Sequence, residues 1–189
     1  MNSHYLFNQI KPISSATSDE TKSKLLADAK KQVGFIPNMY SNMVNLPALL
    51  DTYLHGYGLF REQSGFTSSE QEVVFLAISK SNDCHYCMAA HSTLAANYSG
   101  VPKDILFAIR SGEAISDEKI AALYAMAVEL NDSRGRPSKS IVDLFLQAGY
   151  NENHILAIIL ALSVKTISNY SNHLFDTEVD TTFAKYKVF

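Results

Sequence analysis

Thr67 and Glu70 stand three residues apart, just ahead of the run VVFLAI from Val73 to Ile78. Taken alone, that run fits a buried strand as well as a buried helix, because periodicity does not separate the two over so short a stretch. The pair ahead of it does. A Thr at the N-cap and a Glu three residues on form a capping box, each side chain satisfying a backbone N–H that a helix start leaves orphaned. A helix is therefore expected from about Ser68 to about Ser81. With the most strand-like segment assigned to helix, no hairpin turn or alternating pattern competes, and the expected class is all-α.

The rest of the chain is punctuated in the same way. Ser18 is a candidate cap for a helix with Leu25, Leu26, Ala29 and Val33 on one face, and Gly34 ends it. Pro37 and Pro47 suit first turns, Asn45 suits a cap for the second of those helices, and Gly65 closes the unit. Asn82 and Asp83 break the Ser68–Ser81 helix, and Asp83 is the expected cap of the next, which runs to about Tyr98. Gly100 and Gly112 bracket a short helix from Pro102 to Ser111, and Ser116 starts another. After the polar loop NDSRGRPS come helices from about Ser138 to Ala148 and from Asn151 onward. The expected organisation is one domain over 1–189: an N-terminal helical part at 18–64, a helical hairpin at 65–111 and C-terminal helices at 116–175.

Composition narrows the function classes. Apolar residues make up 47%, charged residues 19%, and the net charge is −3, which suits a globular core and argues against disorder. No Lys/Arg cluster stands out, so no nucleic-acid partner is expected. The apolar run from Ile155 to Val164 is too short to span a bilayer, so no membrane partner is expected either. The start, MNSHYLFNQIKP, lacks a basic segment followed by an apolar core, and no signal peptide is expected. Two cysteines are too few for a secreted disulfide framework and read as catalytic or metal-binding, with a cytoplasmic location expected.

Both cysteines fall in NDCHYCMAAH, Asn82 to His91. With Asp83 as cap, Cys84 and Cys87 occupy the first turn of a helix, where unpaired N–H groups and the positive end of the dipole favour a thiolate. The C-x-x-C spacing lets the sulfurs meet as a disulfide. His91 lies about 6 Å further along the axis on the same face, placed to exchange a proton with a thiol. If the two helices fold back at Asn82 and Asp83, Glu72 comes level with His91. Carboxylate, imidazole and thiol then stand in line, and partial burial would raise the pKa of Glu72 toward neutrality. Two blander readings stand beside this one: a zinc site with an unidentified fourth ligand, and two small residues packed in a core. No second C-x-x-C or H-x-x-x-H supports zinc, and no metal is expected.

The spacing Glu72, Cys84, Cys87, His91, written E-x(11)-C-x(2)-C-x(3)-H, resembles the AhpD-like alkylhydroperoxidases of the carboxymuconolactone decarboxylase superfamily. GFIPN, LPALLDTYLHGYGLF and LAISKSNDCHYCMAAH are similar to the peroxidase-related branch, and the likeness continues thinly to about His173. The resemblance implies an AhpD-like helical bundle assembled as a trimer or hexamer. It implies a hydroperoxide substrate and an external thiol or disulfide reductant, with no bound cofactor. Cys87 would attack the peroxide, Cys84 would resolve it and meet the reductant, and Glu72 and His91 would relay protons. One departure stands out: the family's histidine just before the second cysteine is replaced by Tyr86, and His85 sits one position early. Alternatives are decarboxylase or lactone chemistry, against which the retained C-x-x-C counts, and a non-enzymatic redox sensor or oligomeric scaffold.

Three minor readings complete the sequence. EQEVVFLAISKSNDCHYCMAAH aligns without a gap on ENHILAIILALSVKTISNYSNH, which sets His173 against His91, and Thr166 and Asn169 against the two cysteines. This is either a duplicated hairpin or a chance likeness of two apolar helices. His55 is expected at the surface, and His154 and His173 in structural positions. The NYSNH cluster, Asn169 to His173, is expected to form a buried hydrogen-bond network.

Overall fold

The computed structural model describes residues 6, 7 and 9–188; the reading of the N-terminus as lacking a leader falls partly outside them. Among the described residues there is no strand, and the class is all-α as expected. The helices are α1 (Glu20–Val33), α2 (Asn38–Met43), α3 (Pro47–Gln63), α4 (Ser68–Ser81), α5 (His85–Asn97), α6 (Lys103–Ser111), α7 (Glu118–Asp132), α8 (Lys139–Gln147) and α9 (Glu152–Phe175). A 3₁₀ helix, Thr181–Tyr186, follows; no reading of the sequence anticipated it.

α4 is the axis of the bundle. Every residue from Glu70 to Ser79 is buried, and α5, α7 and α9 pack around it. Its capping box is present as expected: the Glu70 N–H donates to Thr67 Oγ1 at 3.3 Å, and the Thr67 N–H donates to Glu70 Oε2 at 2.9 Å. The other Glu70 oxygen accepts from Tyr150 Oη at 2.9 Å, which ties the start of α4 to the turn before α9. α3 lies across α9, and Gly56 permits the approach: a Cβ there would stand 3.0 Å from Val164 Cγ2. α9 is long and apolar enough to cross a membrane by length and composition alone. Here its inner face carries buried Lys165, Ser168, Asn169 and Asn172 against the bundle, as befits a core helix.

Three caps differ from expectation by one residue, and in α1 and α7 a neighbouring aspartate makes the bond. Asp19 rather than Ser18 caps α1, accepting from the Lys22 N–H at 3.1 Å, and Asp117 rather than Ser116 caps α7. Leu46 rather than Asn45 precedes α3; the Asn45 amide instead donates to the Lys11 carbonyl at 2.8 Å.

The turn between α4 and α5 corrects a more consequential expectation. Asp83 is not the cap of α5 but the left-handed residue that ends α4, with φ 54°. Its N–H donates to the Lys80 carbonyl at 3.0 Å and the Cys84 N–H donates to the Ser79 carbonyl at 2.8 Å, the paired bonds of a Schellman turn. Cys84 is thereby the N-cap of α5, and Cys87 is its third residue. Asp tolerates the left-handed conformation and a β-branched residue does not. Asp83→Val should therefore lower unfolding free energy by about 1–2 kcal/mol, measured by urea titration, whereas Asp83→Gly should hold or raise it.

Candidate active site

α4 and α5 fold back about that turn, and Glu72 does come level with His91. The His91 Nδ1–H donates to Glu72 Oε2 at 2.9 Å, and the Arg61 guanidinium of α3 pairs with Glu72 Oε1. Glu72 is fully buried and His91 nearly so. Arg61 is further held by Tyr57 Oη at 2.7 Å and Gln71 Oε1 at 3.1 Å, with its guanidinium 4.8 Å from the Tyr57 and Phe75 ring centroids. His91 packs against the same Phe75 ring at 4.8 Å.

These contacts overturn one electrostatic expectation. Burial alone would push the Glu72 carboxyl up, but His91 and Arg61 outweigh it and hold the carboxyl below its ordinary value. Glu72 is thus a standing carboxylate. His91 moves down, because burial and the charge of Lys165 outweigh the pull of Glu72. It is a neutral imidazole whose Nδ1 proton is committed to Glu72, leaving Nε2 to exchange protons.

Cys84 and Cys87 are free thiols and both are buried. Three side chains of α9 face them. Asn172 Nδ2 lies 3.3 Å from Cys87 Sγ and 3.9 Å from Cys84 Sγ, and Ser168 Oγ lies 4.0 Å from Cys87 Sγ. Lys165, one turn earlier on the same face, is fully buried. Burial would raise the Cys87 pKa, yet the hydrogen bond from Cys84, together with Lys165 and His91, brings it well below the ordinary thiol value. Cys84 moves the other way, raised by the proton it shares with Cys87 and by burial. Of the pair, Cys87 is the more acidic thiol.

The two sulfurs front different cavities. Cys87 and His91 line one of about 520 Å³, walled by Phe35, Tyr40, Tyr53, Tyr57, Tyr86 and Phe183. Burial pushes up the hydroxyl pKa values of Tyr40, Tyr53, Tyr57 and Tyr86, so these walls are neutral. Cys84 lies against another cavity, of about 300 Å³, with a polar rim that includes Asp83, His85, Asn172 and His173. Tyr86 borders both. Its hydroxyl donates to Asp180 Oδ2 at 2.6 Å, and its ring meets Phe183 edge-on at 6.2 Å, so the C-terminal 3₁₀ segment closes the wall.

The remaining candidates separate cleanly. His85 is exposed beside Asp83 at 3.2 Å, away from the Cys87 cavity. His55 is exposed, and His154 packs on Phe66 while capping α9, both as expected. His173, expected in a structural position, is exposed on the polar rim because α9 turns that side outward. The NYSNH cluster divides: Asn169 bonds Asn82 at 2.9 Å, and Asn172 reaches the sulfurs. Arg61, Lys165 and Ser168 were not anticipated. Lys165 left a trace, as the only charged residue between Ile155 and Tyr170. No group of three or more His, Cys, Asp or Glu side chains is arranged to hold a metal among the described residues.

Residues 47–129, which span Arg61 and the whole Glu72–His91 constellation, match the model of the Carboxymuconolactone decarboxylase family. The fold is AhpD-like. Solved structures share the fold along almost its full length. The alkylhydroperoxidase AhpD core, a peroxidase-related protein from Ralstonia eutropha JMP134, is 17% identical with a TM-score of 0.75, covering 92% of this chain and 95% of that one. A cysteine-to-alanine variant of the debrominase Bmp8, in complex with 2,3,4-tribromopyrrole, is 15% identical with a TM-score of 0.78, covering 96% and 97%. A peroxidase-related protein from Silicibacter sp. TM1040 is 15% identical with a TM-score of 0.72, covering 92% and 93%. No curated protein matches the sequence.

The buried Glu72–His91 pair makes the fold acid-sensitive through two groups acting in the same direction. Glu72, depressed in the folded state, contributes stability present at neutral pH and lost as pH falls through its folded pKa. His91 lies below its ordinary 6.5 when folded, so the unfolded chain takes up that proton first and stability declines as pH drops below 6.5. The urea midpoint should fall steadily from about pH 7 to about pH 4. His91→Asn should flatten the part of that fall nearest 6.5. Glu72→Gln, which leaves Arg61 without its anion, should cost about 3 kcal/mol at pH 7, the low end for breaking a buried pair because Arg61 keeps some solvent.

Proposed function

We propose that this AhpD-like chain is a thiol-dependent peroxidase that reduces organic hydroperoxides with the Cys84/Cys87 pair. The observation that carries the reading is Cys87, a buried cysteine at the wall of an apolar cavity whose pKa is drawn below the ordinary thiol value, with His91–Glu72 beside it and a second thiol three residues earlier. The Cys87 thiolate attacks the terminal peroxide oxygen, the O–O bond breaks, and the alkoxide leaves with a proton passed through His91 Nε2. Cys87 is then a sulfenic acid. The Cys84 thiol displaces its oxygen as water, forming the disulfide. An external dithiol resets the pair by exchange. The division of cavities supports these roles: the hydroperoxide reaches Cys87 from the apolar side, and the reductant reaches Cys84 from the polar rim. No step needs a bound cofactor. We further propose a cytoplasmic, homo-oligomeric protein, a trimer or hexamer; exposed Leu156, Ile159, Tyr170 and Leu174 on the outer side of α9 support assembly.

One observation favours a second reading. A cavity of about 520 Å³ with aromatic walls accommodates a planar ring, and the debrominase in complex with a bromopyrrole shares the fold. The same two thiols balance reductive debromination: an aryl bromide plus two thiols gives the arene, bromide, a proton and the disulfide.

Cumene hydroperoxide and a bromopyrrole, each supplied with dithiothreitol, separate these readings through peroxide loss and bromide release. Wild type should consume the hydroperoxide repeatedly, Cys87→Ser should lose at least 100-fold in rate, and Cys84→Ser should accumulate a sulfenic acid on Cys87 that a dimedone probe captures. Peroxide consumption by both single variants at the wild-type rate would sink the peroxidase reading. Bromide release without peroxide consumption would select the second.

A further inference from the structure

The buried site contains two cations but only one carboxylate. Arg61 and Glu72 neutralise each other through a direct ion pair. Lys165 is left over: its side chain is fully buried, and its Nζ meets no hydrogen-bond partner among the described residues. Such an ammonium is sustained only beside an anion. Its surroundings narrow the choice. Nζ sits 5.5 Å from the Phe75 ring centroid, over the ring against which His91 packs. Lys165, Ser168 and Asn172 follow the i, i+3, i+7 spacing of one helical face, and the latter two lie 4.0 and 3.3 Å from Cys87 Sγ. That face of α9 therefore points an ammonium, a hydroxyl and an amide toward one sulfur.

We infer that Lys165 is the counter-cation of a Cys87 thiolate that exists before any substrate binds. The other titratable groups facing Cys87 do not serve as that cation. Tyr53 from α3 and Tyr86 from α5 are neutral phenols in this burial, and Cys84 is the protonated partner thiol. His91 is neutral and committed to Glu72, and the charge of Lys165 is one cause of that neutrality. Asp180 lies beyond Tyr86 and accepts its hydroxyl. Lys165 thus sets both members of the site at once, lowering Cys87 and keeping His91 unprotonated.

The inference deepens the peroxidase reading by changing its proton accounting. If Cys87 waits as thiolate, no thiol proton is available for the departing alkoxide. One proton must come from Lys165, passed through His91 Nε2 to the alkoxide oxygen. Once the disulfide has formed, neither the thiolate nor the Lys165 proton remains, and the site is again neutral. A dithiol reductant then donates two electrons and two protons. One proton returns to Cys84 and the other to Lys165, while Cys87 is restored as thiolate.

Cys84→Ser leaves Cys87 as the sole cysteine, so thiolate absorbance at 240 nm and the iodoacetamide alkylation rate report it alone. The serine hydroxyl keeps a donor where the Cys84 thiol stood and Lys165 remains, so the Cys87 titration in that protein should still lie below the ordinary 9.0. Adding Lys165→Met, of similar length, should raise the midpoint by at least two pH units and slow alkylation at pH 6.5 by at least tenfold. Circular dichroism checks the fold, and Lys165→Gln replaces the methionine variant should that one fail to fold. A Cys84→Ser protein titrating in the ordinary thiol range, or a low midpoint unchanged on losing Lys165, would overturn the inference. Neither readout requires turnover. A Lys165-dependent thiolate in a protein that consumes no peroxide keeps this inference and removes the peroxidase reading. Peroxide consumption with an ordinary thiol does the reverse.

Discussion

A carboxylate with no access to water has two oxygens to satisfy, and the placement of Glu72 imposes that demand on half the bundle. One oxygen takes the His91 Nδ1 proton, so α5 must lie antiparallel against α4 in a single register. The other takes Arg61, so α3 must present its last turns to the same point. Phe75, one turn beyond Glu72, collects the consequences on its ring: Arg61, His91 and Lys165 all lie within 5.5 Å of its centroid. The aromatic face supplies cation–π attraction and excludes water, which strengthens each remaining charge–charge contact. Burying ionic groups in this way yields little net stability, since desolvation offsets most of the Coulomb gain. What it secures is a fixed geometry and a fixed set of protonation states.

Fold class was legible because local signals agreed with one another. A capping box, helix-stopping glycines and helical periodicity all pointed to α4, and they predicted its bounds correctly. The Glu72–His91 contact was legible because both residues lie on one hairpin, where spacing along two adjacent helices determines what meets. Arg61, Lys165 and Asn172 were harder, since α3 and α9 reach the site only through tertiary packing. Their crossing depends on Gly56 admitting Val164, a contact between residues far apart in the chain. The protonation of Glu72 was misjudged for the same reason. Burial was foreseen, but its effect is reversed by His91 together with Arg61, which arrives on another helix. The duplicated-hairpin alignment set Asn169 against Cys87, yet the residue that touches Cys87 is Asn172, so the alignment does not identify the site.

One residue of turn geometry divides the site into two sides. Had Asp83 capped α5, both cysteines would sit inside the first turn. Because Asp83 instead takes the left-handed position that ends α4, Cys84 becomes the cap in extended conformation and Cys87 the third residue of the helix. The two thiols share a hydrogen bond, while their surroundings diverge toward an apolar cavity and a polar one.

Tyr86 stands at the division, in the place where the alkylhydroperoxidases that the motif resembles carry a histidine. A histidine there would add a titratable group beside Cys87. A tyrosine whose hydroxyl donates to Asp180 adds a neutral wall and draws the 3₁₀ segment down onto α5. Proton handling near Cys87 then falls to His91 and to the cation on α9. The tyrosine in place of a histidine beside Cys87 and the lysine buried on α9 are two sides of one electrostatic arrangement, in which the charge opposite the thiolate comes from across the bundle rather than from its own turn.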